Sequence, residues 1–273
     1  MRLLQGNCLE VMKDIEDQSI DLTVTSPPYD RMRKYNDTLS WNSSIWKQVI
    51  DHLYRVTKDG GVVVWVVGDS TVKGSETGSS FRQALYFKEV GFRLHDTMIW
   101  EKTGRVPTQD RYYNVIEYMF VFSKGKPKAM NFICDHKCVN GGRRQKKDKV
   151  INKGKNKKGD GFFIRNEYGR RSNIWKIHIG RNQTNHPAVF PLQLAKDHIV
   201  SWSNDGDTVL DPFMGSGTVG VACLELNREF IGIEKVPEYF DIAKNRISQW
   251  GNEVDNGLEP GDGATKTNKG KSK

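Results

Sequence analysis

A stiff polar segment follows an apolar run near the N-terminus, in the sequence DLTVTSPPYD at residues 21–30. Proline fixes φ, lacks a backbone N–H and forces the residue before it into an extended conformation. A glycine or asparagine turn would reverse the chain without this stiffness. The pair Pro27–Pro28 therefore indicates that some group is held at a fixed distance from the end of a strand.

A second candidate site is the segment VLDPFMGSGTVG at residues 209–220, which has the pattern of a strand, a glycine-rich turn and a helix. Glycine lets the backbone approach a ligand closely at a helix N-terminus. Gly215, Gly217 and Gly220 have the spacing G-x-G-x-x-G, and Glu234 ends the next predicted strand. This is the fingerprint of a dinucleotide site with an acid for a ribose hydroxyl, so alone it fits a nicotinamide enzyme.

Asp211, at the tip of the predicted strand, changes the expected ligand. A carboxylate in this position would repel a pyrophosphate but would suit a ligand with a cationic centre and an amino group. S-adenosylmethionine has both, together with a ribose for Glu234. Asp211 could also cap the turn and the following helix, as aspartate often does, and the two roles are compatible.

Strand and helix patterns alternate along most of the chain, which predicts an α/β fold with a mostly parallel sheet. Residues 124–185 are rich in Lys, Gly and Asn and break this rhythm, so they are interpreted as an insert, and the tail from Gly251 is expected to be disordered. The predicted strands are 19–25, 62–67, 92–100, 116–123, 208–211 and 229–234, and the predicted helices are 44–56, 79–90, 191–203, 218–227 and 237–250.

The charge of the chain is concentrated in the insert. The formal net charge is +9, and residues 143–171 hold 12 Lys and Arg against 3 Asp and Glu. Phe162, Phe163 and Tyr168 lie within this basic run, a mixture typical of proteins that contact nucleic-acid backbone. A solvated loop is the alternative, because charge runs commonly have no partner.

Membrane, secreted and metal-bound classes are not favoured. No window of about 18 apolar residues exists and the N-terminus lacks an apolar signal core, so no membrane contact and a cytoplasmic location are predicted. Cys134, His136 and Cys138 raise the question of zinc. A structural zinc site needs four ligands and Cys8 and Cys223 are isolated, so no metal is predicted.

The order of the two segments, TSPPY first and DPFMGSGT far downstream, resembles the amino-group DNA methyltransferases of the arrangement called β. The resemblance runs from about Gly6 to Ile247 and includes NHPAVFPLQLAKDHI at residues 185–199. It implies a Rossmann-like, S-adenosylmethionine-dependent methyltransferase fold with a mixed, mostly parallel seven-stranded sheet and an inserted DNA-recognition region. The implied division is a catalytic half at 1–123, a target-recognition insert at 124–185, a cofactor half at 186–250 and a disordered tail at 251–273.

The resemblance implies methyl transfer to an exocyclic amino nitrogen of a base flipped out of double-stranded DNA. This nitrogen is a poor nucleophile, so rigid positioning is expected to matter. A carbonyl of the Pro27–Pro28 corner and the Ser26 hydroxyl would accept the amino hydrogens, and Tyr29 would stack on the ring. The Pro-Cys pair of cytosine C5 enzymes is absent from the sequence, so Cys8 and Cys223 are interpreted as packing residues.

The expected site residues follow from this resemblance. The family often has Gly-Asp where this chain has Gly6–Asn7, which puts the strength of an adenine contact in doubt. The expected catalytic residues are Ser26, Pro27, Pro28 and Tyr29; the expected cofactor residues are Asn7, Thr25, Asp211, Pro212, Phe213, Gly215, Ser216, Gly217, Thr218, Glu234, His186 and Pro187; and the expected DNA contacts are Arg143, Arg144, Lys146, Lys147, Arg31 and Arg33.

The base and the partners are the finer expectations. Ser-Pro-Pro-Tyr is commoner in enzymes of cytosine N4 and Asp-Pro-Pro-Tyr in enzymes of adenine N6, so cytosine N4 is predicted and adenine N6 stays open. A protein-glutamine methyltransferase would have Asn-Pro-Pro-Tyr after the cofactor loop, opposite to this order. A non-catalytic nucleic-acid-binding protein is a further alternative. A cognate restriction endonuclease and a second copy of the chain stay open as partners.

Overall fold

The computed structural model describes residues 1–28, 41–103, 110–146, 162–178 and 190–255. The chain forms two compact units. The larger comprises Met1–Asn131 and Ile174–Lys273, and the smaller comprises Phe132–Asn173. The smaller unit is narrower than the insert predicted at 124–185, because a strand of the main sheet begins at Ile174.

The described residues form strands and helices that alternate along much of the chain. The strands are β1 (Arg2–Gln5), β2 (Ile20–Thr25), β3 (Thr57–Val67), β4 (Thr71–Val72), β5 (Ser75–Glu76), β6 (Arg93–Lys102), β7 (Ile116–Ser123), β8 (His136–Lys137), β9 (Arg144–Lys146), β10 (Phe162–Ile164), β11 (Tyr168–Gly169), β12 (Ile174–Ile177), β13 (Thr208–Asp211) and β14 (Glu229–Glu234). The helices are α1 (Cys8–Val11), α2 (Ser43–Val56), α3 (Ser79–Val90), α4 (Leu192–Trp202), α5 (Thr218–Glu225) and α6 (Pro237–Asp255), with a 3₁₀ turn at Met12–Asp14.

The larger unit is built on one mixed sheet with the strand order β1-β14-β13-β2-β3-β7-β6-β12. Strand β7 runs antiparallel to both of its neighbours, and every other pair in this sheet is parallel. The predicted Rossmann-like, mostly parallel fold is confirmed. Among the described residues the sheet has eight strands where seven are expected from the resemblance, because β12 adds a parallel strand beside β6.

Both faces of this sheet are covered by apolar side chains, which explains the uninterrupted apolar runs of its central strands. Successive residues of β3 point to opposite faces. Val62 and Val64 pack in the cluster that includes residues of α4, α5 and α6, and Val63 and Trp65 pack in the cluster that includes residues of α2 and α3. Helices on both faces leave the strand ends as the place where polar groups can meet.

Two boundaries differ from the sequence-based prediction by five residues each. Strand β3 begins at Thr57 and includes the Asp59–Gly60–Gly61 segment, whereas the predicted strand begins at residue 62. Helix α6 continues to Asp255, so residues 251–255 of the predicted disordered tail are helical, and residues 256–273 lie outside the described part of the chain.

Across the described residues, none of the helices combines the length and the apolar composition that a bilayer crossing requires. The same residues contain no group of three His, Cys, Asp or Glu side chains placed to hold a metal ion. In the smaller unit Cys134 and His136 are exposed and Cys138 is half-buried.

The hairpin β4–β5 follows the carboxyl end of β3 and is anchored by Asp69. Its carboxylate accepts hydrogen bonds from Thr77 Oγ1 and Ser79 Oγ, both at 3.1 Å, and from the Ser80 backbone N–H at 3.0 Å as well as the Ser80 hydroxyl. The residue before α3 is Gly78, which has no side chain, so Asp69 caps this helix from a distance. Burial alone would raise the pKa of Asp69, but the hydrogen bonds from Ser80, Ser79 and Thr77 hold it below its usual value.

Replacing Asp69 by alanine should lower the free energy of unfolding by about 1–2 kcal/mol at pH 7, since a helix cap is lost. Because the folded-state pKa lies below the unfolded value of about 3.9, this contribution is present above pH 4 and is lost as the pH falls through the folded pKa. Urea unfolding at pH 7 and at descending pH measures both effects. Asp59→Ala, which removes an exposed carboxylate, should change stability by less than about 0.5 kcal/mol. Equal effects of the two variants would contradict the cap.

Candidate active site

The two segments singled out in the sequence meet at the carboxyl edge of the sheet. Strands β2 and β13 are parallel neighbours, with Leu22 opposite Val209 and Thr23 opposite Leu210. At their ends the Thr25 Oγ1 hydroxyl donates a buried hydrogen bond of 2.7 Å to Asp211 Oδ1, across 186 positions of sequence. The segments TSPP and DPFMGSGT therefore share one site.

Asp211 is a buried carboxyl with an unusual pKa. Its pKa is raised to about 7, mainly by burial, and the nearby charge of Glu234 acts in the same direction. The hydrogen bonds from Thr25 and from the Phe213 backbone N–H, at 3.1 Å, act in the opposite direction. This carboxyl can therefore hold a proton near neutral pH, and a cation placed beside it would favour the charged form.

Glu234, at the end of β14, connects the glycine-rich loop with the segment after β1. Its Oε2 accepts a hydrogen bond from the Gly215 N–H at 2.8 Å, and its Oε1 accepts one from the Val236 N–H at 2.8 Å. Its backbone carbonyl accepts from the Gly6 N–H at 2.9 Å. Burial raises the pKa of Glu234. A carboxylate has about four lone-pair sites, so these bonds leave capacity for a ribose hydroxyl.

Each glycine of the loop is required for a different physical reason. Gly215 and Gly217 have φ of 53° and 80°, which favours residues without a Cβ. A Cβ at Gly217 would lie 3.0 Å from the Ala243 side chain, and one at Gly220 would lie 2.6 Å from Ile247 Cδ1. The first two glycines thus shape the turn, and the third lets α5 pack closely against α6, in agreement with the fingerprint.

The remaining cofactor candidates are placed as follows. Asn7 is exposed, and its Oδ1 accepts a hydrogen bond from the Leu9 N–H at 3.2 Å. In the ligand-free protein Asn7 therefore acts as the N-cap of α1. Pro212 and Ser216 are buried, as is Thr218, the first residue of α5. His186 and Pro187 lie outside the described residues.

Sequence reasoning missed an aromatic contact beside the loop. The Phe213 ring packs edge-on against Trp41, with ring centroids 5.4 Å apart, and against Trp65 at 6.4 Å. Trp41 comes just before α2, so this contact joins the glycine-rich loop to the chain downstream of the proline corner. A lone tryptophan beside a loop carries no periodic signal that could have predicted the pair.

The sequence of this chain matches one protein family along most of its length. The N6/N4 DNA methylase family model matches residues 20–245, which is most of the chain. The chain belongs to this family. Its members are DNA methylases, so the Thr25–Asp211 site lies in a DNA methylase fold.

Relatives of this DNA methylase cover nearly its whole length. It is 52% identical over 255 residues to the orphan methyltransferase M.BamHII of Bacillus amyloliquefaciens, covering 87% of this chain and 92% of the relative. Among solved structures it is similar to the PvuII DNA methyltransferase (cytosine-N4-specific), with a TM-score of 0.67, 21% identity and coverage of 93% and 92% of the two chains. It is also similar to TTHA0409 of Thermus thermophilus complexed with S-adenosyl-L-methionine, with a TM-score of 0.60, 26% identity and coverage of 92% and 95%.

The catalytic and DNA-contact candidates of this DNA methylase are only partly described. Pro27 is buried, and Ser26 and Pro28 are half-buried at the end of β2. In the smaller unit Arg143 is exposed and precedes β9, which pairs antiparallel with β10. Arg144 and Lys146 belong to β9. The candidates Tyr29, Arg31, Arg33 and Lys147 lie outside the described residues.

Replacing Asp211 by asparagine should stabilise the ligand-free protein at pH 8. A folded-state pKa of about 7 means that the folded chain binds a proton more tightly than the unfolded chain, so this carboxyl costs stability as the pH rises from about 4 to about 7. Asn can still accept from Thr25, and a gain of about 1–3 kcal/mol is expected, since one pKa unit corresponds to about 1.4 kcal/mol. Thermal unfolding at pH 5 and pH 8 measures it, and a gain that does not grow with pH would contradict the assignment.

Proposed function

We propose that this DNA methylase transfers a methyl group from S-adenosylmethionine to the N4 amino group of cytosine in double-stranded DNA. The observation that carries the proposal is the hydrogen bond from Thr25 to Asp211, which brings the proline corner and the glycine-rich loop to one strand edge. A transfer reaction requires its donor and acceptor sites to be adjacent, and this bond supports such an arrangement.

S-adenosylmethionine is the cofactor, and the residues of the site fit it. TTHA0409, 26% identical to this chain, was solved with S-adenosyl-L-methionine. Two buried acids, Asp211 and Glu234, suit a ligand with positive charge and a ribose. The loop from Gly215 to Thr218 lets its backbone approach the methionine part, and Asn7, His186 and Pro187 complete the proposed set. When bound, the cofactor supplies an electrophilic methyl group.

The proline corner is proposed to hold the base. Ser26 and a carbonyl of the Pro27–Pro28 pair would accept the two hydrogens of the amino group, which turns the nitrogen lone pair towards the methyl carbon. Tyr29 would stack on the flipped ring. Because Thr25 is bonded to Asp211, the start of this corner is fixed relative to the cofactor loop, so the amino nitrogen needs little reorganisation to reach the methyl group.

The choice of cytosine rests on Ser26 as the first residue of the tetrapeptide. A serine hydroxyl both donates and accepts, whereas the aspartate that is common in adenine N6 enzymes only accepts. Adenine N6 is the alternative base, and the same site chemistry would serve it.

The smaller unit and the arginines after the proline corner are proposed to contact DNA phosphates. The excess of positive charge in residues 143–171 supports this, as do the exposed Arg143 and the basic strand β9. Arg144, Lys146, Lys147, Arg31 and Arg33 are the further candidates. Phosphate contacts fix register and orientation without reading sequence.

Incubation with S-adenosylmethionine and mixed-sequence duplex DNA, followed by digestion to nucleosides and identification by chromatography and mass, should yield N4-methylcytosine. Ser26→Ala is the control: it should lower kcat by about 100-fold or more and leave the cofactor dissociation constant unchanged, because the hydroxyl acts on the base. N6-methyladenine as the product would overturn the choice of base. The absence of any methylated nucleoside would overturn the proposed transfer.

Cofactor affinity should rise with pH through the titration of Asp211. A cation beside the carboxyl lowers its pKa, so binding releases the proton that the free protein holds below pH 7. Calorimetry should show affinity rising about fivefold to tenfold from pH 6 to pH 7.5, with proton release to the buffer. Asp211→Asn removes this titration. Any pH dependence of affinity that remains in the variant therefore comes from the cofactor's own amino group. The same slope in both proteins would show that Asp211 does not face the cation.

A further inference from the structure

Arg246 of helix α6 reaches the glycine-rich loop from its rear side. Its Nη1 donates to the Ser216 carbonyl at 3.2 Å and to Thr218 Oγ1 at 2.9 Å, and it lies 3.5 Å from Ser216 Oγ. A Cβ added at Gly217 would lie 3.0 Å from the Ala243 side chain and 3.1 Å from Ile247 Cδ1, both on the same helix. One face of α6 therefore packs on the turn, and Arg246 supplies the polar part of that contact.

The Arg246 guanidinium is largely buried, so its hydrogen bonds to the turn are its main polar contacts. Burial lowers the pKa of Arg246, and within the described part of the chain this side chain makes no ion pair. Its acceptors there are the neutral oxygens of Ser216 and Thr218. Hydrogen bonds from a charged donor are stronger than neutral ones, and removing the donor would leave a buried carbonyl and a buried hydroxyl without it.

The loop needs such a restraint because its glycines confer little stiffness. Gly215 and Gly217 both have positive φ, and glycine populates many other conformations at low cost. Glu234 fixes the first part of the turn through the Gly215 N–H at 2.8 Å. Arg246 fixes the second part, and because Thr218 Oγ1 accepts from Arg246, the Thr218 hydroxyl proton must point in another direction.

We propose that Arg246 is a positioning residue for the cofactor: it sets the orientation of the Ser216–Gly217–Thr218 turn, and through this turn it sets the affinity for S-adenosylmethionine without touching it. The inference rests on the proposed function, since it takes the turn to be the cofactor site. It assigns Arg246 no part in holding the target base, so turnover at saturating cofactor should not depend on it.

The test compares Arg246→Met and Arg246→Lys with the wild type by calorimetry with S-adenosylmethionine and by steady-state methylation of duplex DNA. Arg246→Met should weaken cofactor binding by about tenfold, as expected for losing hydrogen bonds from a charged donor, and should raise the KM for the cofactor accordingly. Its kcat at saturating cofactor should stay within about twofold of the wild-type value. Arg246→Lys keeps the charge and a donor, so its dissociation constant should fall between the other two.

Arg228→Met is the matched control. Arg228 is also well buried, and it donates from Nε to Ser203 Oγ and from Nη2 to the Ser203 carbonyl, both at 3.0 Å, before strand β13 begins. It differs from Arg246 in that it also forms an ion pair with Asp205 at 2.5 Å. Its loss should lower thermal stability in the way that the loss of Arg246 does, but it should leave the cofactor dissociation constant unchanged.

Each result decides a different statement. If the wild type binds S-adenosylmethionine and Arg246→Met has the same dissociation constant, this inference is overturned and the proposed function stands. An equal loss of affinity in Arg246→Met and Arg228→Met has the same consequence. If Arg246→Met does not fold, an Arg246→Lys constant equal to that of the wild type overturns it. A wild-type protein that does not bind S-adenosylmethionine overturns the proposed function and this inference with it.

Discussion

The hydrogen bond between Thr25 and Asp211 is the interaction on which the site depends. It is available only because β2 and β13 are parallel neighbours, so that both strands end at the same edge of the sheet. The sequence order of the two segments is then irrelevant to their spacing in the fold. Ligands of open α/β sheets bind beyond the carboxyl ends of the strands, and this bond joins two such ends directly.

Two buried acids at this site destabilise the folded protein when they are charged. Asp211 and Glu234 are both buried acids, burial raises the pKa of each, and the charge of Glu234 adds to the shift of Asp211. Glu234 is compensated by the backbone N–H groups of Gly215, Lys235 and Val236, and Asp211 by one hydroxyl and one N–H. Neither acid has a cationic partner in these bonds. Such local conflict is expected at functional sites, because a positively charged ligand removes it on binding.

Sequence patterns locate the strands that carry the site but not the groups that hold it together. The ranges 116–123, 208–211 and 229–234 match β7, β13 and β14, since apolar runs bounded by turn residues are strong signals. Strand β1 escapes prediction because it is a short edge strand without a buried run, and β12 because four residues between polar segments are too short for their alternation to give a clear signal. Asp69 and Arg246 look like ordinary surface charges in the sequence. Only tertiary packing directs them to a helix end and a loop, and nothing local encodes that direction.

The proline corner and the glycine-rich loop lie at the same edge of the sheet but differ in backbone stiffness. Pro27–Pro28 is stiff by its own covalent structure, so the segment that is proposed to hold a base needs few partners to keep its shape. A side chain would obstruct a close approach of the backbone to a cofactor, and glycine gives that access at the loss of stiffness. The missing stiffness has to come from elsewhere in the fold. Glu234 and Arg246, from two separate elements, supply it at the two ends of the turn. This division explains why the proline corner can be recognised from a short segment, whereas the glycine-rich loop depends on residues far from it in sequence.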